Sequence, residues 1–351
     1  MRWLITGATG FKGAWLGAYL KAKGETVVGL CGGVRKRNAF LFDSIHKEID
    51  APLFQFDICN STQLKEAINT LKPDCIIHLA GQALVSESLS APEETFRTNV
   101  VGTVSLLSAL KEYTDRLAVV CITSDKCYEN KEWPWPYRES DTLGGKDNYS
   151  ASKACAELAV RSMIQSYKVF GSNIKVGTAR AGNVIGGGDF SVNRLIPDFV
   201  RHLDRREVLT IRRPNATRPW QHVLDPVSGY VRFAEALFTD EIASGQSLNF
   251  GPSIGIQDYS VRNVLDLLMP YFDEVNVRYE SSDLGNIESG LLALSPEKAK
   301  DRLGWVAKIS FEQAVDYTAR FYHGMKSGEN SFKMMSEQIN QFLSQYDTAN
   351  H

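Results

Sequence analysis

No apolar run in this 351-residue sequence approaches the roughly 20 residues that a helix needs to cross a bilayer. The opening MRWLITG lacks the long apolar core and small-residue cleavage site of a secretory signal, so a cytoplasmic protein is expected. An excess of one charge is missing too. The net charge of −2 offers nothing global to nucleic acid or to an anionic membrane surface. The six cysteines, at 31, 59, 75, 121, 127 and 155, form no C-x-x-C and no paired ligand spacing. That speaks against a zinc site and a disulfide framework. Several lie in apolar runs and read as buried, reduced thiols. No metal is expected. Internal repeats and low-complexity linkers are absent as well.

What the sequence does have is alternation. Short apolar runs at 3–6, 26–30, 75–79, 117–122 and 174–179 read as strands. Helical patterns at 11–23, 62–71, 93–113 and 150–169 fall between them, the second opened by Asn60 or Ser61 as N-cap. Strands alternating with helices of this length predict βαβ units. The expected fold is α/β: a Rossmann-type, doubly wound parallel sheet. A composition of 43% hydrophobic and 23% charged residues is enough to give such a sheet a core and keep it in solution. Beyond about residue 180 the rhythm loosens into Gly-, Pro- and Arg-rich loops. Residues 1–178 are read as the dinucleotide-binding domain, with segments near 222–252 returning to it. Residues 179–345 are read as a smaller, discontinuous lobe that binds substrate. The 33–49 region and the tail after about 326 are polar and expected to be mobile.

Residues 6–13, TGATGFKG, follow the first strand directly and open the first helix. Gly7 permits the tight turn there. Gly10 lets a pyrophosphate approach backbone amides that the helix N-terminus leaves free. A structural-only glycine loop is the bland reading, and the position at the head of a βαβ chain argues against it. The spacing T-G-x-x-G-x-x-G resembles the extended short-chain dehydrogenase/reductase superfamily. One expected piece is missing: the second strand ends Leu30-Cys31-Gly32-Gly33, with no acid for the adenosine ribose. Arg35, Lys36 and Arg37 follow. They could accept a 2′-phosphate, which would favour NADP over NAD, or form a solvated basic loop. Asp57, after Leu53-Phe54-Gln55-Phe56, suits the adenine. Leu79-Ala80-Gly81 ends another strand with small residues that allow close cofactor contact.

Two further stretches carry acid–base groups. TSDKCYEN, at 123–130, puts Ser124, Asp125 and Lys126 just past a strand. Ligands of such sheets sit outside the carboxyl ends of the strands, so these three face the reacting end of the cofactor. YSASK, at 149–153, spaces Tyr149 and Lys153 by one helical turn on one face. A neighbouring ammonium would lower the phenol from its usual pKa near 10 and make it a base for a hydroxyl proton. Tyr19 and Lys23 share that spacing and read as a surface pair; order along the chain separates the two. Ser124 suits simple alcohol oxidation. Asp125 and Lys126 are surplus to it and suggest a second chemical step.

The block 123–158, TSDKCYENKEWPWPYRESDTLGGKDNYSASKACAEL, resembles the CDP-glucose 4,6-dehydratases among the nucleotide-sugar 4,6-dehydratases. So do GFKGAWL (10–16), ARAGNVIGGGDF (179–190), RLIPD (194–198) and RPWQHVLDP (218–226), and the likeness extends to about residue 345. The resemblance implies NAD⁺, tightly bound and regenerated in every turnover, although NADP stays open on the second strand. It implies that Tyr149, with Ser124 and Lys153, serves oxidation of the glucose C4 hydroxyl. Asp125 is the implied acid and Lys126 the candidate base for loss of water across C5 and C6, after which the hydride returns to C6. A lysine base must shed its proton near neutral pH, which costs about 4 kcal/mol; the alternative is a permanent cation that orients the sugar.

Implied cofactor contacts are Gly7, Gly10, Phe11, Lys12, Gly13, Asp57, Ile58, Leu79, Ala80, Gly81, Asn99, Thr123, Tyr149 and Lys153. Implied substrate contacts are Gln82, Asn183, Arg194, Arg218 and His222, the last equally a packed structural histidine. Arg180, Arg212 and Arg213 are further guanidinium candidates for the diphosphate. Trp133-Pro134-Trp135-Pro136-Tyr137 could stack on the sugar or base, or pack a lid. Departures from the family pattern fall at Leu84–Leu89, Pro136 and Leu294-Ser295. The expected partner is a nucleotide-diphosphate hexose, with no nucleic acid and no membrane. A homodimer through a four-helix interface and a place in deoxysugar synthesis for bacterial surface polysaccharide such as O-antigen are also implied. A nucleotide-sugar 4-epimerase would need Ser124, Tyr149 and NAD(P) but not Asp125 and Lys126. A non-catalytic dinucleotide sensor would need no poised phenol.

Overall fold

The computed structural model describes residues 1–32, 40–169, 173–252, 260–280 and 291–347. The apolar runs of the N-terminal half become strands, and the amphipathic stretches between them become helices. In chain order these are β1 (Arg2–Thr6), α1 (Phe11–Ala22), β2 (Thr26–Cys31), α2 (Phe40–Ile49), β3 (Leu53–Gln55), α3 (Ser61–Leu71), β4 (Cys75–His78), α4 (Val85–Ser90), α5 (Pro92–Phe96), α6 (Gly102–Ala109), β5 (Leu117–Ile122), α7 (Asn148–Val169) and β6 (Ile174–Ala181). There follow β7 (Val184–Ile185), α8 (Leu195–Arg205), β8 (Leu209–Ile211), β9 (Gln221–His222), α9 (Leu224–Phe238), β10 (Ser247–Phe250), α10 (Val261–Leu268), β11 (Val277–Tyr279), α11 (Glu297–Leu303), α12 (Phe311–Lys326) and α13 (Ser331–Asp347).

The main sheet has the order β3-β2-β1-β4-β5-β6-β10, and every pairing in it is parallel. This is the doubly wound 3-2-1-4-5-6 arrangement with a seventh strand added. Side chains alternate across the sheet. Trp3 and Ile5 face a core shared with α1, α2, α9, α12 and α13. Leu4, Ile76 and Val119 face a second core under α3, α6 and α7. The register pairs Thr6 with Leu30 and His78, His78 with Cys121, and Ile122 with Ala179. The carboxyl ends therefore line up, and the loops after β1, β4, β5 and β6 meet above them. Smaller parallel pairs, β8 with β11 and β7 with β9, lie in the C-terminal part. No described helix is long and apolar enough to cross a membrane.

Three sequence expectations change. The 93–113 helix is interrupted: α5 passes into a π-helical turn, Arg97–Val101, before α6. Residues 40–49 form a helix, because Leu41, Phe42, Ile45 and Ile49 recur on one face and bury against α1. The tail forms α13, which also returns to α1. Its Phe342 ring meets Tyr19 at 6.3 Å, and on α12 Phe321 meets Trp15 at 6.1 Å. Gly33, Arg35, Lys36 and Arg37 lie outside the described residues.

Candidate active site

The glycine loop packs on the end of β4. Gly7 has φ +74°, and a Cβ there would lie 2.7 Å from the Ala80 amide nitrogen. At Gly13 a Cβ would meet the Gly7 carbonyl oxygen at 2.3 Å. Gly10 differs: its Cβ would meet only that oxygen, at 3.3 Å, so the loop is open on this side. Gly10 is also the N-cap of α1 with no side chain capping it, which leaves first-turn amides for an anion. This cradle fits a dinucleotide pyrophosphate. At the sheet edge, the Asp57 carboxylate accepts from the Cys59 amide at 2.9 Å and the Arg97 guanidinium at 2.7 Å. Those bonds hold it below the usual carboxylate range. Ile58 packs beneath Gly102, where a Cβ would come within 2.9 Å of its Cγ2.

Behind the loop, buried polar groups fix the end of β4. The Thr6 hydroxyl and His78 Nδ1 are 2.7 Å apart, and His78 Nε2 lies 3.1 Å from the Thr103 hydroxyl. Thr103 donates its own proton to the Asn99 carbonyl, so Nε2 of His78 carries the hydrogen and Nδ1 accepts from Thr6. Burial pushes the His78 pKa down to about 3, consistent with this neutral tautomer. The Asn99 side chain accepts from the Gln82 amide at 2.8 Å and donates to the Gln82 carbonyl at 3.0 Å and the Ser152 hydroxyl at 2.8 Å. It thereby ties the loop after β4 to α7. Gly81 lies between: a Cβ there would sit 3.0 Å from Asn99 Oδ1 and 3.3 Å from Lys153 Nζ.

Ser124, Asp125, Tyr149 and Lys153 come together at the end of β5, and all four are buried. Ser124 caps a short 3₁₀ turn, Asp125–Cys127; its hydroxyl accepts from the Lys126 amide at 3.2 Å and donates to Asp125 Oδ1 at 2.9 Å. Asp125 Oδ2 has no hydrogen-bond partner among the described residues. Burial raises the Asp125 pKa, and the neighbouring Lys126 cation opposes the rise. Tyr149 is set at the start of α7 by α4, whose Ser88 hydroxyl accepts from the Tyr149 amide at 3.2 Å. Burial pushes the phenol up to about 12, with the nearby Ser124 hydroxyl working against the shift. Desolvation thus acts against the lowered phenol pKa expected from sequence. Lys153 donates to the Ile122 carbonyl at 3.3 Å, and burial brings its pKa down to about 8. Lys12 belongs to the same pocket. Its amine lies 6.0 Å from the Tyr230 ring centroid, and burial, with the Arg194 and Lys153 cations, lowers its pKa to about 7.

Comparisons with known proteins bear on this arrangement. A family model described as GDP-mannose 4,6 dehydratase matches residues 4–318. A CDP-glucose 4,6-dehydratase of Salmonella typhimurium is 35% identical over 98% of this chain and 96% of its own. The chain belongs to the nucleotide-sugar 4,6-dehydratase family. Solved structures share the fold. The dTDP-glucose 4,6-dehydratase from Bacillus anthracis, in complex with NAD, covers 95% of this dehydratase and 99% of its own chain, at 21% identity and TM-score 0.76. The UDP-glucose 4-epimerase from Stenotrophomonas maltophila with bound NAD covers 93% and 99%, at 20% identity and TM-score 0.79.

Three candidate residues of the dehydratase, Gln82, His222 and Arg180, serve the scaffold instead. The Gln82 amide is consumed within its own loop: Nε2 donates to the Leu84 carbonyl and the Thr95 hydroxyl, both at 2.9 Å, while Oε1 accepts from the Leu84 amide. His222 is fully buried, edge-on to the rings of Trp15 and Tyr317, each 5.6 Å away, and burial lowers its pKa to about 3. It is a packed histidine. Arg180 is buried with Glu157 in a two-pronged ion pair at 2.9 and 2.8 Å and donates to the Tyr128 hydroxyl at 2.7 Å, so no diphosphate reaches it. Arg194 does stand at the pocket: it pairs with Asp189 at 3.0 Å, and its charge acts on both Lys12 and Tyr149. Asn183 is tied through its carbonyl to the Gln221 amide, and Arg218 donates to the Thr217 carbonyl at 2.8 Å. The Tyr19–Lys23 surface pair expected from sequence changes: Tyr19 is buried against Phe342, and Lys23 pairs with Glu235 at 2.9 Å. Tyr137 stacks between Tyr128 and Trp133, whereas Trp135 is 70% exposed.

Sequence reasoning missed Ser88, Ser152, Glu157 and Gly182. At Gly182 a Cβ would lie 2.4 Å from the Pro219 ring and 3.2 Å from Asp125 Oδ2. All four sit in stretches already quoted: Ser88 in 84–89, Ser152 in YSASK, Glu157 in the 123–158 block and Gly182 in ARAGNVIGGGDF. Residue type and spacing gave no sign of the partners that the fold brings to them.

Proposed function

We propose that this chain converts CDP-glucose to CDP-4-keto-6-deoxyglucose, with NAD held as a resident cofactor. The observation that carries the dehydration is Asp125: a buried carboxyl beside Ser124 and Tyr149, with one oxygen left unpartnered. Oxidation or epimerisation at C4 needs no such acid. The open side of Gly10, the uncapped first turn of α1 and the small Gly81 fit the dinucleotide, and Asp57 lies at its adenosine end. When bound, NAD supplies the redox chemistry, taking two electrons and a hydrogen from C4 and returning them at C6. Tyr149 Oη receives the proton of the C4 hydroxyl, oriented by Ser124 Oγ. Lys153 Nζ, anchored on the Ile122 carbonyl, holds positive charge under that end of the pocket. The new ketone acidifies C5. Lys126 Nζ, which must enter this step as the uncharged amine, takes the C5 proton while Asp125 gives its proton to the C6 oxygen, which leaves as water. Burial favours the neutral carboxyl that this step requires. Arg194 and Arg218 bind the diphosphate.

The test is direct. CDP-glucose is incubated with the NAD-loaded protein, and the 4-keto product is followed by its absorbance in alkali. Asp125→Asn and Lys126→Met are expected to abolish that product while C4 oxidation, read as reduced cofactor, persists. A product with C4 inverted and no keto sugar would refute the reading. Two copies pair through α6 and α7, beside which Val101 and Leu158 stand 48% and 44% exposed. Sedimentation would give a dimer that Leu158→Glu dissociates.

A further inference from the structure

Proton accounting in the proposed reaction leaves a remainder. The electrons lost at C4 reappear at C6, so they cancel. The proton taken from C5 returns to C5, so it cancels too. The O4 proton ends on Tyr149, however, and the proton that completes water comes from Asp125. Each turnover leaves Tyr149 with one proton too many and Asp125 with one too few.

Both groups are shut away from bulk water. Asp125 is 2% exposed and Tyr149 7%. Gly182 lies against Asp125 Oδ2, which is buried, and Oδ1 faces the Ser124 hydroxyl. Ser124 stands between the two groups. It donates to Asp125 Oδ1 at 2.9 Å, the Lys126 amide fixes its oxygen at 3.2 Å, and it lies close enough to Tyr149 to act on the phenol.

We propose that Ser124 is a proton relay from Tyr149 to Asp125, so that the proton lost by O4 is the one that leaves in water. As Tyr149 Oη takes the O4 proton, its own O–H proton passes to Ser124 Oγ, and the Ser124 O–H proton passes to Asp125 Oδ1. One O–H bond breaks at O4 and one forms at Asp125; Tyr149 and Ser124 end as they began, and no co-reactant is consumed. Oxidation at C4 thereby loads the acid that expels the C6 hydroxyl. The inference rests on the dehydratase reading. Burial supports the direction of transfer. The phenol, held near 12, keeps its proton at rest, and the carboxylate, made more basic than usual, is the acceptor within reach.

The experiment compares steady-state formation of the 4-keto sugar by wild type, Ser124→Ala and Ser124→Thr, across concentrations of imidazole and formate at fixed pH and ionic strength. Ser124→Ala is expected to lose on the order of 10²-fold and to regain rate as buffer rises, since solvent acids must then load Asp125. Wild type and Ser124→Thr should not respond to buffer. A buffer-independent Ser124→Ala, or a buffer-dependent wild type, would overturn the relay. If Ser124→Ala is too slow to follow, a pH indicator decides during the first wild-type turnover. No transient proton exchange with bulk supports the relay, and release followed by uptake of about one proton per site overturns it. Wild type that makes no 4-keto sugar at all would instead sink the dehydratase reading.

Discussion

Replacing Arg180 by methionine should damage stability far more than substrate affinity. Arg180 gives Glu157 two charge-assisted bonds, at 2.9 and 2.8 Å, in a region where both side chains are nearly inaccessible. Without it, Glu157 keeps the Thr123 and Thr178 hydroxyls, at 2.5 and 2.8 Å, and a longer contact from Ser247. Removing one partner of a buried pair strands the other charge, which costs about 3–5 kcal/mol. The pH dependence supplies the sharper test. In the wild type the Arg180 bonds outweigh burial and hold the Glu157 pKa below its ordinary 4.5. Its stabilisation is therefore present above that value and is lost as pH falls through the lowered one. In Arg180→Met burial is left with little opposition, so the carboxyl pKa rises above the unfolded value. The gap to wild type should then be widest near neutral pH and shrink as acid protonates Glu157. Urea midpoints at several pH values measure this. Adding Glu157→Leu should recover much of the loss, since an apolar pair leaves no stranded charge. The KM for CDP-glucose should stay within about twofold in folded enzyme, because the Arg180 guanidinium is spent on Glu157 and the Tyr128 hydroxyl. A cost below about 1 kcal/mol at neutral pH, or a gap indifferent to pH, would refute the reasoning.

Three other perturbations probe separate parts. Asn99→Ala removes three bonds to Gln82 and Ser152, so about 1–3 kcal/mol of stability and most of the NAD affinity should go, read by denaturation and by cofactor titration. Gly182→Ala drives a methyl into Pro219 and towards Asp125; kcat should drop by about tenfold or more with NAD binding retained. Asp225, where burial raises the pKa from 3.8 to about 7, binds a proton more tightly folded than unfolded. Wild-type stability should therefore decline as pH climbs from about 4 to 7, and Asp225→Asn should flatten that decline in pH-resolved thermal melts.

The parallel sheet was readable because its strands are continuous apolar runs, and TGATGFKG because a tight turn before a helix demands glycine at fixed places. Helix 93–113 was misjudged because periodicity does not report the π turn that carries Asn99. Residues 40–49 looked mobile by polarity alone, although four apolar residues at helical spacing bury there. Arg180 and His222 show the opposite limit. Their residue types suit phosphate and sugar, but type says nothing of burial, and both are locked into packed interiors.

By itself the sequence determined the alternating strands and helices of the N-terminal half, the phosphate turn, and the candidates for the acid–base groups, because each depends on residues adjacent in the chain. Only the tertiary structure decided which of those groups share a pocket and in what protonation state. That depends on desolvation and on partners more than 20 residues away, such as Tyr149 for Ser124 and Gly182 for Asp125. Such distances are set when the carboxyl ends of β1, β4, β5 and β6 are brought into register.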